Sequence, residues 1–184
     1  MSSHLKPLLT TDEFLVRAQQ QAGRWELQHG EAVTMSPERV GHANAKFAVQ
    51  TALKNAIQNA DARCYMLPDG MSVRIDASNA YEPDALVYCG KKASKDQIEI
   101  TNPVIVVEVL TPSTRRYDTG AKFSGYMSVP GLRHFLIVEM DKQLVIHHRR
   151  ADNGTIESAI LHAGVLKLDP PGIEVEIAAF FEDD

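Results

Sequence analysis

The chain has 184 residues, 44% hydrophobic and 23% charged, a balance that excludes a disordered or membrane-spanning protein and suits one domain, 1–184, with a substantial core. The formal net charge of -5 excludes indiscriminate attraction to nucleic acid, so any polyanion must be held by local basic clusters such as Arg115, Arg116 and Lys122. Two cysteines, Cys64 and Cys89, are too few for a disulfide framework and are expected reduced and buried; with no apolar leader, the expected address is cytoplasmic.

Thr10 or Thr11 followed by Asp12 and Glu13, with Phe14, Leu15 and Ala18 at helical spacing, predicts a first helix over 11–22, ended by Gly23. Trp25 and Leu27 alternate with polar neighbours up to His29-Gly30, which predicts a hairpin whose second strand starts at Glu31. Ser36-Pro37-Glu38 opens a predicted long helix to about Asn59, with a possible serine cap, proline in the first position and acids in the first turn. Its apolar stripe runs through Ala45, Val49, Leu53, Ala56 and Ile57. His42 faces the same way, either as a packed core histidine or as a site residue. Residues 62–67 and 71–75 predict a second hairpin around Asp69-Gly70, a strong turn signal.

Pro83 biases the chain to extended geometry, so Asp84 sits at the mouth of a strand. Val104 to Leu110 is too short and too β-branched for a helix and reads as a strand buried on both faces. Val106, Glu108 and Leu110 share one face of it; Ile105, Val107 and Val109 share the other. A helix over 118–128 is expected to bury Phe123, Tyr126 and Met127, with Lys122 at the edge of that stripe and Tyr126 one turn above it. Residues 133–140 and 143–150 predict a further hairpin, with Phe135, Ile137, Val145 and His147 assigned to one face. Short strands then lead to a terminal helical turn over 178–181.

Glu108 is therefore an acid inside a core strand, and burying an ionised carboxylate costs several kcal/mol, roughly, unless it is paired, hydrogen-bonded or metal-bound. If the strand after Asp84 lies beside it, the two carboxylates converge. Two such acids with a lysine nearby suit an oxygen-preferring divalent cation, Mg2+ with Mn2+ as a substitute, that polarises a phosphate and acidifies a bound water. The alternative is a structural ion pair of Glu108 with Arg115 or Arg116.

The stretches RWELQHGEAVTMSP, EPDALVY and VVEVLTPSTRRYDTGAKFSGY, in this order and with a histidine between the first two, resemble the Uma-type restriction endonucleases, a branch of the PD-(D/E)xK nuclease superfamily. The resemblance implies an α+β fold: a restriction-endonuclease-like mixed central sheet flanked by helices, with additional β-hairpins. It also implies Asp84 and Glu108 as metal-binding acids. The superfamily lysine two residues after the glutamate is absent, since Leu110 stands there; the resemblance moves that role to Lys122. Glu31, as an extra acid, and His42 match recurrent positions of the family, and Tyr126 supports the same helix face. The expected activity is Mg2+-dependent hydrolysis of phosphodiester bonds in DNA, with Arg115 and Arg116 on the backbone and a homodimer as the assembly. The alternative is a catalytically silent nucleic-acid-binding or protein-interaction module.

Overall fold

A computed structural model describes residues 7–110 and 119–182 of the chain. Helix α1, Thr11–Ala18, begins as its sequence signals: Thr10 accepts from the Glu13 N–H, and the Glu13 carboxylate accepts from the Thr10 N–H at 2.8 Å. This reciprocal cap satisfies two of the open donors at the helix start. The helix stops short of the predicted 22 because no residue from 19 to 22 is buried, so nothing favours a further turn.

Strands β1 (Trp25–Gln28) and β2 (Glu31–Thr34) form the expected hairpin, with His29 and Gly30 both at positive φ, 51° and 80°. Helix α2 (Val40–Asn59) follows, then β3 (Cys64–Pro68), β4 (Ser72–Arg74), β5 (Ala80–Tyr81), β6 (Ala85–Cys89), β7 (Glu99–Ile100) and β8 (Ile105–Leu110). Helix α3 (Thr119–Ser128) leads to β9 (His134–Glu139), β10 (Leu144–Arg150), β11 (Ile156–Leu161), β12 (Val165–Leu168), β13 (Ile173–Glu176) and a 3-10 turn, Ile177–Phe180.

Six strands make the central sheet in the order β11-β10-β9-β8-β6-β3, and β2-β1-β5-β4-β7 make a second sheet. Within the central sheet β8 and β9 are parallel, so the chain must cross over between them, and α3 lies on that crossover. The sheet has two distinct faces, divided by the period-2 alternation of β8. Ile105, Val107 and Val109 pack with Val49, Leu53 and Ile57 of α2 and with the β12–β13 hairpin. Val106 packs on the opposite face with Tyr126 and Met127 of α3 and with Val73 and Tyr81 of the second sheet. Glu108 therefore faces α3 and the second sheet.

Four further expectations fail, each on which residues meet. Residues 62–75 are not a hairpin: β3 pairs with β6 and β4 with β5 and β7, so the turn at Gly70 passes the chain from one sheet to the other. Helix α2 starts at Val40 rather than at Ser36, after an extended Arg39; Glu38 instead ion-pairs with Lys46 at 2.5 Å. In the β9–β10 hairpin, Val145 lies opposite Val138 and His147 opposite Leu136. Val145 and His147 thus belong to the α2 face, while Phe135 and Ile137 belong to the α3 face. Finally, Cys64 and Cys89 are opposed across β3 and β6 with Cα atoms 4.0 Å apart, and they form a disulfide. Two strands had to pair before their thiols could meet, and Cys89 is exposed rather than buried.

Candidate active site

The β6–β8 register, Ala85 opposite Val107 and Leu86 opposite Val106, brings Asp84, one residue before β6, to the level of Glu108. The Asp84 carboxylate is anchored there: Oδ2 accepts from the Val109 N–H at 2.7 Å, and its own N–H donates to Val107 O at 3.0 Å. An acid held by a strand's backbone in this way is fixed in place before any ligand arrives. Asp84 is 5% exposed.

Helix α3 sets two groups on Glu108. Lys122 Nζ donates to Glu108 Oε1 at 2.9 Å, and the Tyr126 hydroxyl donates to the same oxygen at 2.9 Å. The i, i+4 spacing puts both side chains on one helix stripe. Lys122 also donates to Glu26 Oε1 at 2.8 Å. Glu26 comes from β1 of the second sheet, is 2% exposed, and accepts from the Glu82 N–H at 3.1 Å and from Gln28 Nε2 at 3.1 Å.

Burial pushes the Glu108 carboxyl up to about 7; the Lys122 ammonium opposes the rise, and the charges of Asp84 and Glu26 add to it. Burial alone would lower the Lys122 pKa, yet Glu108 and Glu26 outweigh it and hold the ammonium above its ordinary range. Burial, reinforced by Glu108 and Glu26, pushes the Tyr126 phenol well up, so it remains a hydrogen-bond donor.

Glu26, Asp84, Glu108 and Lys122 line a cavity of about 270 Å³ that also takes in His42, Glu38 and Arg24. His42 Nε2 lies 3.6 Å from Asp84 Oδ1 and 3.5 Å from Glu38 Oε1, and its buried Nδ1 has no hydrogen-bond partner among the described residues. Gln50 Nε2 donates to Asp84 O at 2.8 Å. Arg24, which lines the cavity, is held by Glu82 and Asp69, and Lys46 nearby by Glu38 and Asp69. In the inner group, Glu26 and Glu108 pair with the Lys122 ammonium and Asp84 acts on Glu108: three acids to one cation, a surplus of two negative charges when all are ionised.

That surplus and the oxygen-only donors fit a hard divalent cation. Among the described residues no three His, Cys, Asp or Glu side chains close into a ready metal cluster. The fit is thus to a cation held by two acids, Asp84 and Glu108, that keeps several of its waters, as Mg2+ does.

Of the residues singled out in the sequence, Asp84, Glu108, Lys122, Tyr126 and His42 come together. Glu31 does not: it is exposed at the start of β2, opposite Gln28. Glu26 occupies the place assigned to it. The alternation of Trp25 and Leu27 already put Glu26 on the opposite side of β1, but only the second sheet's packing showed that this side is also covered. Arg115 and Arg116 lie outside the described residues. No helix among the described residues is long and apolar enough to cross a membrane.

The model of the Uma2 family, described as "Putative restriction endonuclease", matches residues 11–179. An uncharacterized protein of Synechocystis sp., slr1290, is 29% identical over 148 residues, 79% of this chain and 77% of that protein. A second from the same organism, sll1609, is 26% identical over 146 residues, 78% and 81% of the two chains. Among solved structures, a "putative nuclease belonging to DUF820" from Anabaena variabilis superposes with a TM-score of 0.71 at 13% identity, covering 94% of this chain and 97% of that one. At that identity the likeness is one of fold.

Proposed function

Because the chain belongs to the Uma2 family, described as "Putative restriction endonuclease", we propose that it is a Mg2+-dependent endonuclease that hydrolyses phosphodiester bonds in DNA, with Asp84 and Glu108 as the metal-holding acids. One observation carries the reading: Lys122, from the helix after β8, reaches Glu108 at 2.9 Å beside Asp84. The chain thereby supplies in space the acid, acid and lysine set that Leu110 denies it in sequence.

When bound, Mg2+ supplies positive charge to the phosphate and makes a coordinated water acidic enough to attack at neutral pH. Asp84, pinned by the Val109 N–H, offers its second oxygen to the cavity without reorganising. Glu108 would hold the cation in its ionised form and would give up on binding the proton it carries below about pH 7. Lys122 presents an ammonium that orients the attacking water or steadies charge on the scissile phosphate. Tyr126 holds Glu108 in place through its hydroxyl. His42, with Nδ1 unpartnered among the described residues, stands on the Asp84 side as a phosphate contact or a support for that acid.

The test is calorimetric titration of Mg2+ and Mn2+ into the wild type and Glu108→Gln, run beside cleavage of supercoiled and linear DNA. Binding and cleavage by the wild type, both lost in the variant, are the expected result. Metal binding without cleavage would indicate a silent binding module, and no metal binding would leave the cluster a structural ion-pair network.

A further inference from the structure

We infer that Glu26 is the positioning residue for Lys122, an anchor in the second sheet that keeps the ammonium in the cavity when Glu108 is engaged elsewhere. The inference rests on the reading of Glu108 as a cation-holding acid. Both Lys122 and Tyr126 donate to Glu108 Oε1, so a cation held by that carboxylate would lie next to the ammonium and repel it. An ammonium repelled by a divalent charge is driven outward on its four-carbon stem. Glu26 prevents this. It is itself immobilised, buried to 2% and gripped by the Glu82 N–H and Gln28 Nε2, and it holds Lys122 at 2.8 Å.

The arm of this contact is set by close packing between α3 and β5. A Cβ on Gly125, one turn after Lys122, would meet the Tyr81 ring at 2.6 Å, and Tyr81 is 5% exposed and packed edge-on against Tyr126. Only glycine lets the helix approach the second sheet closely enough for Lys122 to span both acids. The second sheet is thus a working part of the site rather than a decoration on the central one.

The experiment is a double-mutant cycle of Glu26→Gln and Lys122→Ala, read by turnover, by the KM for DNA and by Mg2+ affinity. Glu26→Gln should lower kcat roughly 100-fold, the scale of a misplaced catalytic group, with the DNA KM little changed. In the Lys122→Ala background the same substitution should cost less than about twofold, because coupled groups do not add. Glu26→Asp, which keeps the charge on a shorter stem, should recover part of the loss. Gly125→Ala should reproduce the Glu26→Gln defect and add nothing to it. An undiminished effect of Glu26→Gln in Lys122→Ala, or a lost Mg2+ site in Glu26→Gln alone, would overturn the inference and make Glu26 a direct ligand. If the wild type cleaves nothing, the proposed nuclease reading fails separately, and the pair is decided by urea unfolding: non-additive midpoints uphold the Glu26 anchor, and additive midpoints overturn it.

Discussion

The central sheet buries two polar clusters, one on each face, and they are opposites. On the α2 face, His134 Nδ1 meets His147 Nε2 at 2.9 Å and His134 Nε2 meets Pro170 O at 2.9 Å. Burial lowers both histidines to about 4, so they are neutral and their bonds are closed among themselves. On the α3 face, Glu108 shares its environment with two more acids and an ammonium, opens on a cavity and is pushed up to about 7. The histidine pair has solved its burial problem within the chain. The acid cluster has not, and surplus charge beside a cavity is what supports the proposed ligand site there.

The most severe way to break this contrast is to remove the acids. Asp84→Asn and Glu108→Gln are each expected to abolish divalent-cation binding and cleavage while circular dichroism shows the fold intact. Losing one of several mutually repelling carboxylates should leave the metal-free protein as stable as before or more so. A loss of several kcal/mol, roughly the cost of breaking a buried ion pair, with no metal ever bound, would place the acids with the histidines as structural.

Next in size is Lys122→Ala, expected to lower turnover roughly 100-fold to 1,000-fold, the scale of a lost electrostatic donor. Its Mg2+ affinity by calorimetry should be unchanged or tighter, since a competitor for Glu108 has gone. A weakened Mg2+ affinity would contradict the assigned role.

A smaller effect comes from pH, where the two clusters should act with opposite sign. Histidines lowered in the fold from an ordinary 6.5 contribute stability above pH 6.5 and lose it as pH falls through about 4. The loss should be on the order of 3 kcal/mol per histidine, taking about 1.4 kcal/mol per pKa unit. Glu108, raised from 4.5, contributes stability below pH 4.5 and loses it as pH rises through about 7. Urea unfolding from pH 4 to 8 should therefore show both slopes, and saturating Mg2+ should abolish the rising-pH loss without touching the acid one. Replacing His147 with a non-titrating residue should diminish the acid loss only.

The smallest expected change is in binding itself. Because Glu108 must shed its proton to hold the cation, Mg2+ affinity should rise by at most about tenfold per pH unit below pH 7 and level off above it. A flat profile would remove Glu108 from the metal site.

How much of this could be read without coordinates divides along a physical line. Local signals carried their own answers: the Thr10 and Glu13 cap, the His29-Gly30 turn, and the alternation that puts Glu108 opposite in face to Val107 and Val109. Each depends on residues within one or two turns of chain. The helical stripe even placed Lys122 beside Tyr126, and the strand before it set the direction in which both look. What tertiary structure alone decided was which surfaces meet. Whether residues 62–75 pair with each other or with separate sheets, whether Cys64 and Cys89 face across a ladder, and whether Glu26 or Glu31 enters the site all depend on partners far away in the chain. Strand pairing energy belongs to both strands, so neither sequence alone contains it. Glu26 reads as the polar half of an ordinary hairpin until the sheet that carries it packs against α3 and brings that half to Lys122.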